Sequence, residues 1–215
     1  MIILHIPVCF DKIERITDKR RDFEISCLEQ NLQSLTESPA KIYVSINGHA
    51  KSKYLDKTIE LCNLHGNCEH FRRENTGYQW GGYFDVWKKT KSEAAEYWGT
   101  LEVDNIVCSN WWHKLGNFQY VGKPPIRNDI GQLRWPERWK LNDRAERHTS
   151  GGYHFCKHSL LTKIEKQFNC FTNSAGNNHL IDGILLGEVG FCTKVITVGE
   201  KLHEVNILSK VVPYK

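Results

Sequence analysis

The sequence predicts an α/β sandwich in which helices flank a mostly parallel central sheet. Short apolar runs alternate with segments of helical period through most of the 215 residues, and this alternation is typical of parallel strands joined by crossover helices. No internal repeat, low-complexity tract or linker interrupts the pattern. Because a chain of this length can bury one hydrophobic core, we expect a single domain over residues 1–215.

The strand predictions rest on short apolar and β-branched runs that end in turn residues. The first run, IILHIPVC, lies near the start of the chain, and a later run, KIYVSI, is followed by the turn pair Asn47-Gly48. Ligands of such sheets bind at the carboxyl ends of the strands, so the loops after the strands are expected to hold the site. The predicted strands are residues 2–9, 41–46, 69–73, 99–103, 151–156 and 192–198.

The helix predictions rest on apolar residues at three- and four-residue spacing. In the first helix Leu28, Leu32 and Leu35 follow this spacing, and Pro39 ends it. Residues 116–150 are polar, rich in Arg, Trp and Pro, and without a clear period, so they are predicted to form a long functional loop. The predicted helices are residues 20–35, 52–64, 83–97, 109–115, 159–168 and 180–188.

Composition excludes several classes of protein. The net charge is only +4 and no Lys/Arg run stands out, whereas nucleic-acid binders concentrate their charge, so no nucleic-acid partner is expected. No segment approaches the roughly 20 apolar residues that span a bilayer, so no integral membrane segment is expected. The eight cysteines are irregularly placed. A chain of this size needs no disulfides to fold, which predicts free thiols in a reducing, cytoplasmic setting.

The strongest candidate site is the run Glu102-Val103-Asp104, which follows a predicted strand. Residues two apart in a strand point the same way, so at a strand end both carboxylates can face one point above the sheet edge. Hard oxygen ligands suit Mn²⁺ or Mg²⁺, and such ions bridge to diphosphate oxygens. The alternative is a solvated strand end with ordinary acids, because short motifs often match by chance.

A glycine-containing segment precedes this strand. Asn75-x-Gly77 and then Gly81-Gly82 lie between a predicted strand and a predicted helix. Glycine lets a backbone approach a ligand closely, and a helix N-terminus offers N–H groups to anions. A simple turn is the alternative, and it accounts for one glycine more easily than for three. The predicted cofactor-binding residues are Asn75, Gly77, Gly81, Gly82, Glu102 and Asp104.

The runs ENTGYQWGGYFDVWKK, LEVDNIV and SNWWHKL together resemble the inverting, family-two type glycosyltransferases of GT-A fold. The resemblance covers residues 41–115 and, more loosely, 151–198. It implies a single-domain GT-A-like sandwich, a nucleotide-sugar donor with UDP as the default nucleotide, and a glycan or glycosylated acceptor. It also implies Mn²⁺ or Mg²⁺ as cofactor and Asp104 as the metal-binding acid.

The chain departs from this family at three places. Glu102 stands where the motif has its first Asp. The acidic pair that often follows strand two is absent, and Ser45, Asn47 and His49 stand there instead, which bears on how the base of the nucleotide is recognised. The Asn usual in the helix after the glycine segment is also absent, with Asp85 nearby.

The resemblance also implies the residues that complete the site. Gly151-Gly152-Tyr153 corresponds to a glycine-containing strand near the acceptor, and Asp182 falls where the family has its catalytic base. An ordinary helix acid is the alternative for Asp182, and Glu188 and Asp143 are the other candidates for the base. His203, after the last predicted strand, is a candidate metal ligand together with Glu102 and Asp104, although a lone histidine is more often structural.

A group of Cys and His residues and a set of tryptophans each have two interpretations. Cys62, His65, Cys68 and His70 lie close in sequence, but their spacing matches no usual zinc finger. Trp111, Trp112, Trp135 and Trp139 stand among polar residues. They could belong to the core, but we expect them to stack on sugar rings, because aromatic faces pack on apolar C–H faces.

Two other functions compete with sugar transfer. A nucleotidyl- or phosphotransferase also uses carboxylates and a metal on an α/β sheet, but the chain has no Gly-x-x-x-x-Gly-Lys loop. The second is a non-catalytic nucleotide- or carbohydrate-binding module, because a fold alone does not prove activity.

Overall fold

The computed structural model describes residues 1–10, 17–48, 52–124, 150–172 and 187–214. The strands in chain order are β1 (Ile2–Cys9), β2 (Ala40–Asn47), β3 (Cys68–Arg73), β4 (Tyr97–Leu101), β5 (Asn105–Val107), β6 (Tyr120–Lys123), β7 (Ser150–Lys157), β8 (His203–Glu204) and β9 (Leu208–Val211). The helices are α1 (Asp18–Ser34), α2 (Ser52–Leu64), α3 (Tyr78–Thr90), α4 (His158–Phe168) and α5 (Gly190–Thr197), with a 3₁₀ helix at Trp111–Leu115.

Seven of these strands form one central sheet in the order β3-β2-β1-β4-β7-β6-β8. The pairs β3–β2, β2–β1, β1–β4 and β6–β8 are parallel, and β7 is antiparallel to both of its neighbours. Strands β5 and β9 pair separately as a short antiparallel ribbon. The predicted α/β class with a mostly parallel sheet is therefore confirmed.

The two faces of the sheet are covered by different helices. Alternate residues of β1 point to opposite faces: Leu4, Ile6 and Val8 pack with α1 and α2, and Ile3 packs with the aromatic cluster of α3, α4 and α5. A strand that is buried on both faces has a near-continuous apolar sequence. This explains why the run at the start of the chain is apolar without a period of two.

The parallel strands bring distant parts of the chain to one edge. Strands β1, β2, β3 and β4 end there at Cys9, Asn47, Arg73 and Leu101, and β6 ends there at Lys123. The antiparallel β7 begins at the same edge, which we call the carboxyl edge. Ligands of open α/β sheets bind at this edge.

Three sequence predictions of secondary structure are wrong. Residues 192–198 form most of α5 and not a strand, because Phe191, Cys192 and Val195 recur at helical spacing and pack into the core; this packing outweighs the β propensity of the run. The predicted loop 116–150 contains β6. The helix predicted at 83–97 begins at Tyr78 and ends at Thr90. The helix predicted at 180–188 falls mostly outside the described residues.

No helix in the described ranges is long and apolar enough to cross a membrane. All eight cysteines lie within these ranges, and none of them forms a disulfide.

Candidate active site

The acidic residues predicted as the site lie in a tight turn, residues 102–105, that directly follows β4. The amide of Glu102 donates a hydrogen bond to the carbonyl of Gly152 at 2.8 Å, and the amide of Asn105 donates to the carbonyl of Glu102 at 3.0 Å. The side chain of Asn31 on α1 donates to the carbonyls of Val103 at 3.2 Å and Asn105 at 2.9 Å. The turn is thus fixed from both β7 and α1.

Asn105 orients the carboxylate of Asp104. Its side-chain Nδ2 donates to Asp104 Oδ1 at 2.7 Å, and its Oδ1 accepts from Lys123 Nζ at 3.0 Å. Asn105 is fully buried, so its amide has little freedom to turn away. The backbone of Asp104 is held as well, because the amide of Val212 beyond β9 donates to its carbonyl at 2.9 Å.

Three carboxyl groups interact electrostatically at and near this turn: Glu102, Asp104 and Glu24 of α1. Burial, followed by the charge of Asp104, raises the pKa of Glu102 to about 7. Burial also raises the pKa of Glu24 on α1 to about 7, and the Asp104 charge adds to this, although Arg20 at 2.6 Å acts in the opposite direction. Charges of one sign that are held close together favour protonation or a bound cation.

The chemistry of this donor set fits a divalent cation. Glu102 and Asp104 offer hard carboxylate oxygens, and Mg²⁺ is typically bound through one or two carboxylates together with substrate phosphates and water. Among the described residues, no group of three His, Cys, Asp or Glu side chains could hold a metal. An ion at this turn would need further ligands besides these two carboxylates, and donor phosphates and water are typical ones.

The structure does not bring His203 to the acidic turn. His203 lies in β8, paired with Val121 of β6, and its ring stacks on Phe118 with centroids 4.0 Å apart. Strand β8 is three positions from β4 in the sheet, which corresponds to roughly 14 Å at the usual strand spacing. The Cys/His set predicted from the sequence does not form a group that could hold a metal ion either. All four of its residues are described: Cys62, His65, Cys68 and His70.

Several predicted residues fall outside the described ranges. The structure says nothing of the proposed base or of the loop tryptophans. These residues are Asp182, Asp143, Trp135 and Trp139. The other two tryptophans expected to stack on sugars are described: Trp111 is fully buried in the core, so the expectation is wrong for it, and Trp112 is partly buried against the same core.

The glycine segment differs from its prediction, because α3 begins at Tyr78 and includes Gly81 and Gly82. A Cβ at Gly81 would lie 2.2 Å from the carbonyl oxygen of Thr76, and a Cβ at Gly82 would lie 2.6 Å from His5 Nε2. Both glycines therefore allow close packing of α3 within the fold. The sequence predicted both glycines to lie in a loop before the helix, whereas the structure places them within its first turns.

Gly77 and Asn75 lie at the carboxyl edge, before α3. Gly77 has φ of +70° and caps the helix, a conformation that favours glycine. Asn75 is buried, and its Nδ2 donates to Cys9 Sγ at the end of β1 at 3.3 Å. The N-terminal turn of α3 is thus at the edge where β1 ends, and helix N-termini favour anionic groups.

Sequence reasoning missed a buried polar network beneath this edge. His5 Nδ1 is 2.9 Å from Thr100 Oγ1, and His5 Nε2 is 2.7 Å from Ser45 Oγ. Burial, and then the charge of Arg73, lower the pKa of His5 to about 3. The imidazole is therefore neutral and links three strands. A single histidine in an apolar run gives no sequence signal for this role.

Arg73, at the end of β3, is bound by three groups. It donates from Nε to Asp85 Oδ2 at 3.0 Å, from one terminal nitrogen to Asn47 Oδ1 at 2.9 Å, and from the other to the Thr76 carbonyl at 2.8 Å. The amide of Asn47 donates in turn to the carbonyl of Val8 at 3.2 Å. The polar groups at the ends of β2 and β3 are thus satisfied within the protein.

Comparisons with known proteins bear on the fold. No protein-family model and no curated protein matches the chain. Among solved structures, TarS 1–349 of S. aureus in complex with UDP-GlcNAc is similar over 98% of this chain and 56% of that chain, with a TM-score of 0.60 and 11% identity. Mannosyltransferase PcManGT from Pyrobaculum calidifontis, in complex with GDP-Man and Mn²⁺, is similar over 94% of this chain and 54% of that one, with a TM-score of 0.55 and 10% identity.

A third solved structure has a different assigned activity. It is a Bacillus anthracis protein assigned as a glucose-1-phosphate thymidylyltransferase, in complex with sucrose; it is similar over 96% of this chain and 87% of that one, with a TM-score of 0.55 and 9% identity. This chain covers little more than half the length of TarS 1–349 and of the PcManGT chain. At such identities the likeness is one of fold, and it confirms the GT-A-type fold that the sequence resemblance implied.

Proposed function

We propose that this protein is a glycosyltransferase that moves a sugar from a nucleoside-diphosphate sugar, by default a UDP-sugar, to a hydroxyl group of a glycan or glycosylated acceptor. The observation that carries the proposal is the acidic turn, where Glu102 and Asp104 follow the central strand β4 at the carboxyl edge. Two structural neighbours of the same fold are complexes with nucleotide sugars, UDP-GlcNAc and GDP-Man, and this supports the choice of donor.

The turn is suited to hold the diphosphate end of the donor. Mn²⁺ or Mg²⁺ bound by Asp104 and Glu102 would neutralise the charge that builds on the leaving nucleoside diphosphate. Hydrogen bonds preorganise the turn. Asn105 donates to one carboxylate oxygen of Asp104, and Asn31 and Gly152 form hydrogen bonds with the backbone of the turn. Groups fixed in this way stabilise developing charge without having to reorganise during the reaction.

Asp182 is proposed as the general base, on the strength of the family resemblance, with Glu188 and Asp143 as alternatives. An inverting transfer needs a carboxylate that takes the proton of the acceptor hydroxyl while the sugar carbon is attacked from the face opposite the leaving group. The inverting outcome belongs to this part of the proposal.

The nucleoside is proposed to lie where β1 ends, beside Cys9, Asn75 and the N-terminus of α3. Asn47 stands where the family often has an acid, and its amide is already bound to Arg73 and to Val8. We therefore expect the base to be recognised by groups other than this side chain.

Nucleotidyl transfer is the second candidate, because the neighbour assigned as a thymidylyltransferase is matched over 87% of its own length. The two reactions release different products. A glycosyltransferase releases a nucleoside diphosphate from a nucleotide sugar, whereas a nucleotidyltransferase releases pyrophosphate from a nucleoside triphosphate and a sugar phosphate. A coupled assay for each product separates these candidates, and release of neither product favours a binding module.

UDP is expected to raise the melting temperature of the protein only when Mn²⁺ or Mg²⁺ is present. The carboxylates of the acidic turn repel a diphosphate unless a cation lies between them, and a ligand that binds the native state stabilises it by mass action. The measurement is a thermal-shift panel of UDP, GDP and CMP, each with Mn²⁺ and with EDTA. Equal stabilisation by UDP in EDTA would contradict the metal-dependent site.

We propose that residues 1–215 form one glycosyltransferase domain and that it works in the cytoplasm.

A further inference from the structure

Lys123, the last residue of β6, lies beside the acidic turn. Its Nζ donates a hydrogen bond to Asn105 Oδ1 at 3.0 Å, and the same amide donates to Asp104 Oδ1 at 2.7 Å. No carboxylate in the described ranges is within ion-pair distance of Lys123, although its charge acts on the buried carboxyl of Glu102 and partly offsets the rise in pKa that burial causes there. A positive charge is therefore held at the site through a neutral amide.

The backbone directs this lysine toward the turn. Gly122 pairs with His154, but Lys123 pairs with Ser150, so the register of β6 and β7 shifts at this point. Such irregularities commonly redirect a side chain next to a site. A Cβ at Gly152 would lie 2.5 Å from Lys123 Cδ and 2.8 Å from its Nζ. The lysine thus follows a path that only glycine at position 152 leaves open.

A nucleoside diphosphate bound at the acidic turn would need a positive charge in addition to that of a metal ion. A divalent ion bound by Glu102 and Asp104 would balance the charge of these two carboxylates. The negative charge of the diphosphate would then still have no positive partner. Two arginines in the described part of the chain, Arg73 and Arg20, are already engaged: Arg73 has three acceptors and Arg20 pairs with Glu24. The ammonium group of Lys123 is bound only to an uncharged amide among the described residues.

We propose that Lys123 is a phosphate-binding residue of the donor site, whose ammonium group contacts the diphosphate oxygens directly. The inference rests on the proposed function, because it takes the ligand to be a nucleoside diphosphate. Lysine binds phosphates as a compact point charge. Asn105 then has two tasks, as it orients Asp104 on one side and holds Lys123 on the other.

The test is the variant Lys123→Gln, whose amide can still donate to Asn105 but which has no charge. Calorimetry measures the Kd of UDP and the Kd of uridine in the presence of Mn²⁺, for the wild type and the variant. We expect UDP to bind about tenfold more weakly, as for a lost charge-assisted hydrogen bond, and uridine to bind unchanged. A purely structural role for Lys123 would weaken both ligands alike or lower only the melting temperature.

Lys157→Gln is the matched control, because Lys157 also donates to an asparagine, Asn117, at the opposite end of the sheet; UDP affinity should not change. If Lys123→Gln does not fold, Lys123→Met is the second uncharged variant and should show the same selective loss. A wild type that binds UDP, together with an uncharged variant that binds it equally well, would overturn this inference alone. A wild type that binds no nucleoside diphosphate would overturn the proposed function, and this inference with it.

Discussion

Asp104→Asn is expected to lower sugar-transfer turnover by about 100-fold or more, the usual effect of removing one fixed electrostatic group from an active site. Asparagine keeps the shape of the side chain and can still be held by Asn105, but it lacks the charge that binds a cation. Because the turn is fixed mainly through its backbone, the fold should persist. Steady-state release of UDP from a UDP-sugar with Mn²⁺ measures the loss.

The matched control is Asp56→Asn, since Asp56 is an exposed residue of α2 with the same chemistry. Its turnover should equal that of the wild type. Melting temperatures of both variants, measured in EDTA, establish that each is folded. Wild-type turnover by a folded Asp104→Asn variant would refute the role given to this carboxylate.

Gly81→Ala is expected to destabilise the protein by about 1–3 kcal/mol, the usual cost of an overpacked site. Helix propensity alone predicts the opposite sign, because alanine within a helix is favoured over glycine by about 1 kcal/mol. We expect overpacking to outweigh helix propensity, because the new Cβ would lie 2.2 Å from the Thr76 carbonyl oxygen and 2.6 Å from a terminal nitrogen of Arg73. The free energy of unfolding, measured by urea denaturation, gives the sign.

Gly66→Ala is the control for this prediction. Gly66 lies in the turn after α2, and a Cβ there would meet no atom within 4 Å. Its free energy of unfolding should change by less than about 1 kcal/mol, as for substitutions without strain. A stabilised Gly81→Ala variant would show that α3 can move away from the loop before it.

Local sequence patterns predict an element correctly where its apolar pattern matches the faces that it buries in the fold. The strand at residues 2–9 and the helix at 52–64 have the predicted bounds, because a doubly buried strand and an amphipathic helix each have a distinct pattern. The strand predicted at residues 192–198 is wrong, because these residues form most of α5. There the β-branched residues favour a strand locally, while packing of α5 against the aromatic cluster favours the helix.

The candidate site could be predicted only in part, for a physical reason. Glu102 and Asp104 are neighbours in sequence and follow a strand, so their joint position is visible in the chain. Asn31 and Lys123 reach the same turn from α1 and β6, and no spacing in the sequence links them to it. Contacts made by tertiary packing become visible only when the topology is known.

The acidic turn is proposed to bind a cation together with the diphosphate of the donor. The most direct test is a crystal structure of the protein with Mn²⁺ and UDP, in which anomalous scattering at the manganese edge locates the ion. We expect a manganese peak within about 2.2 Å of an Asp104 carboxylate oxygen, a typical ligand distance for such ions, with the diphosphate bound to it at the carboxyl edge. A manganese peak or a diphosphate bound away from residues 102–105 would contradict the proposed donor site.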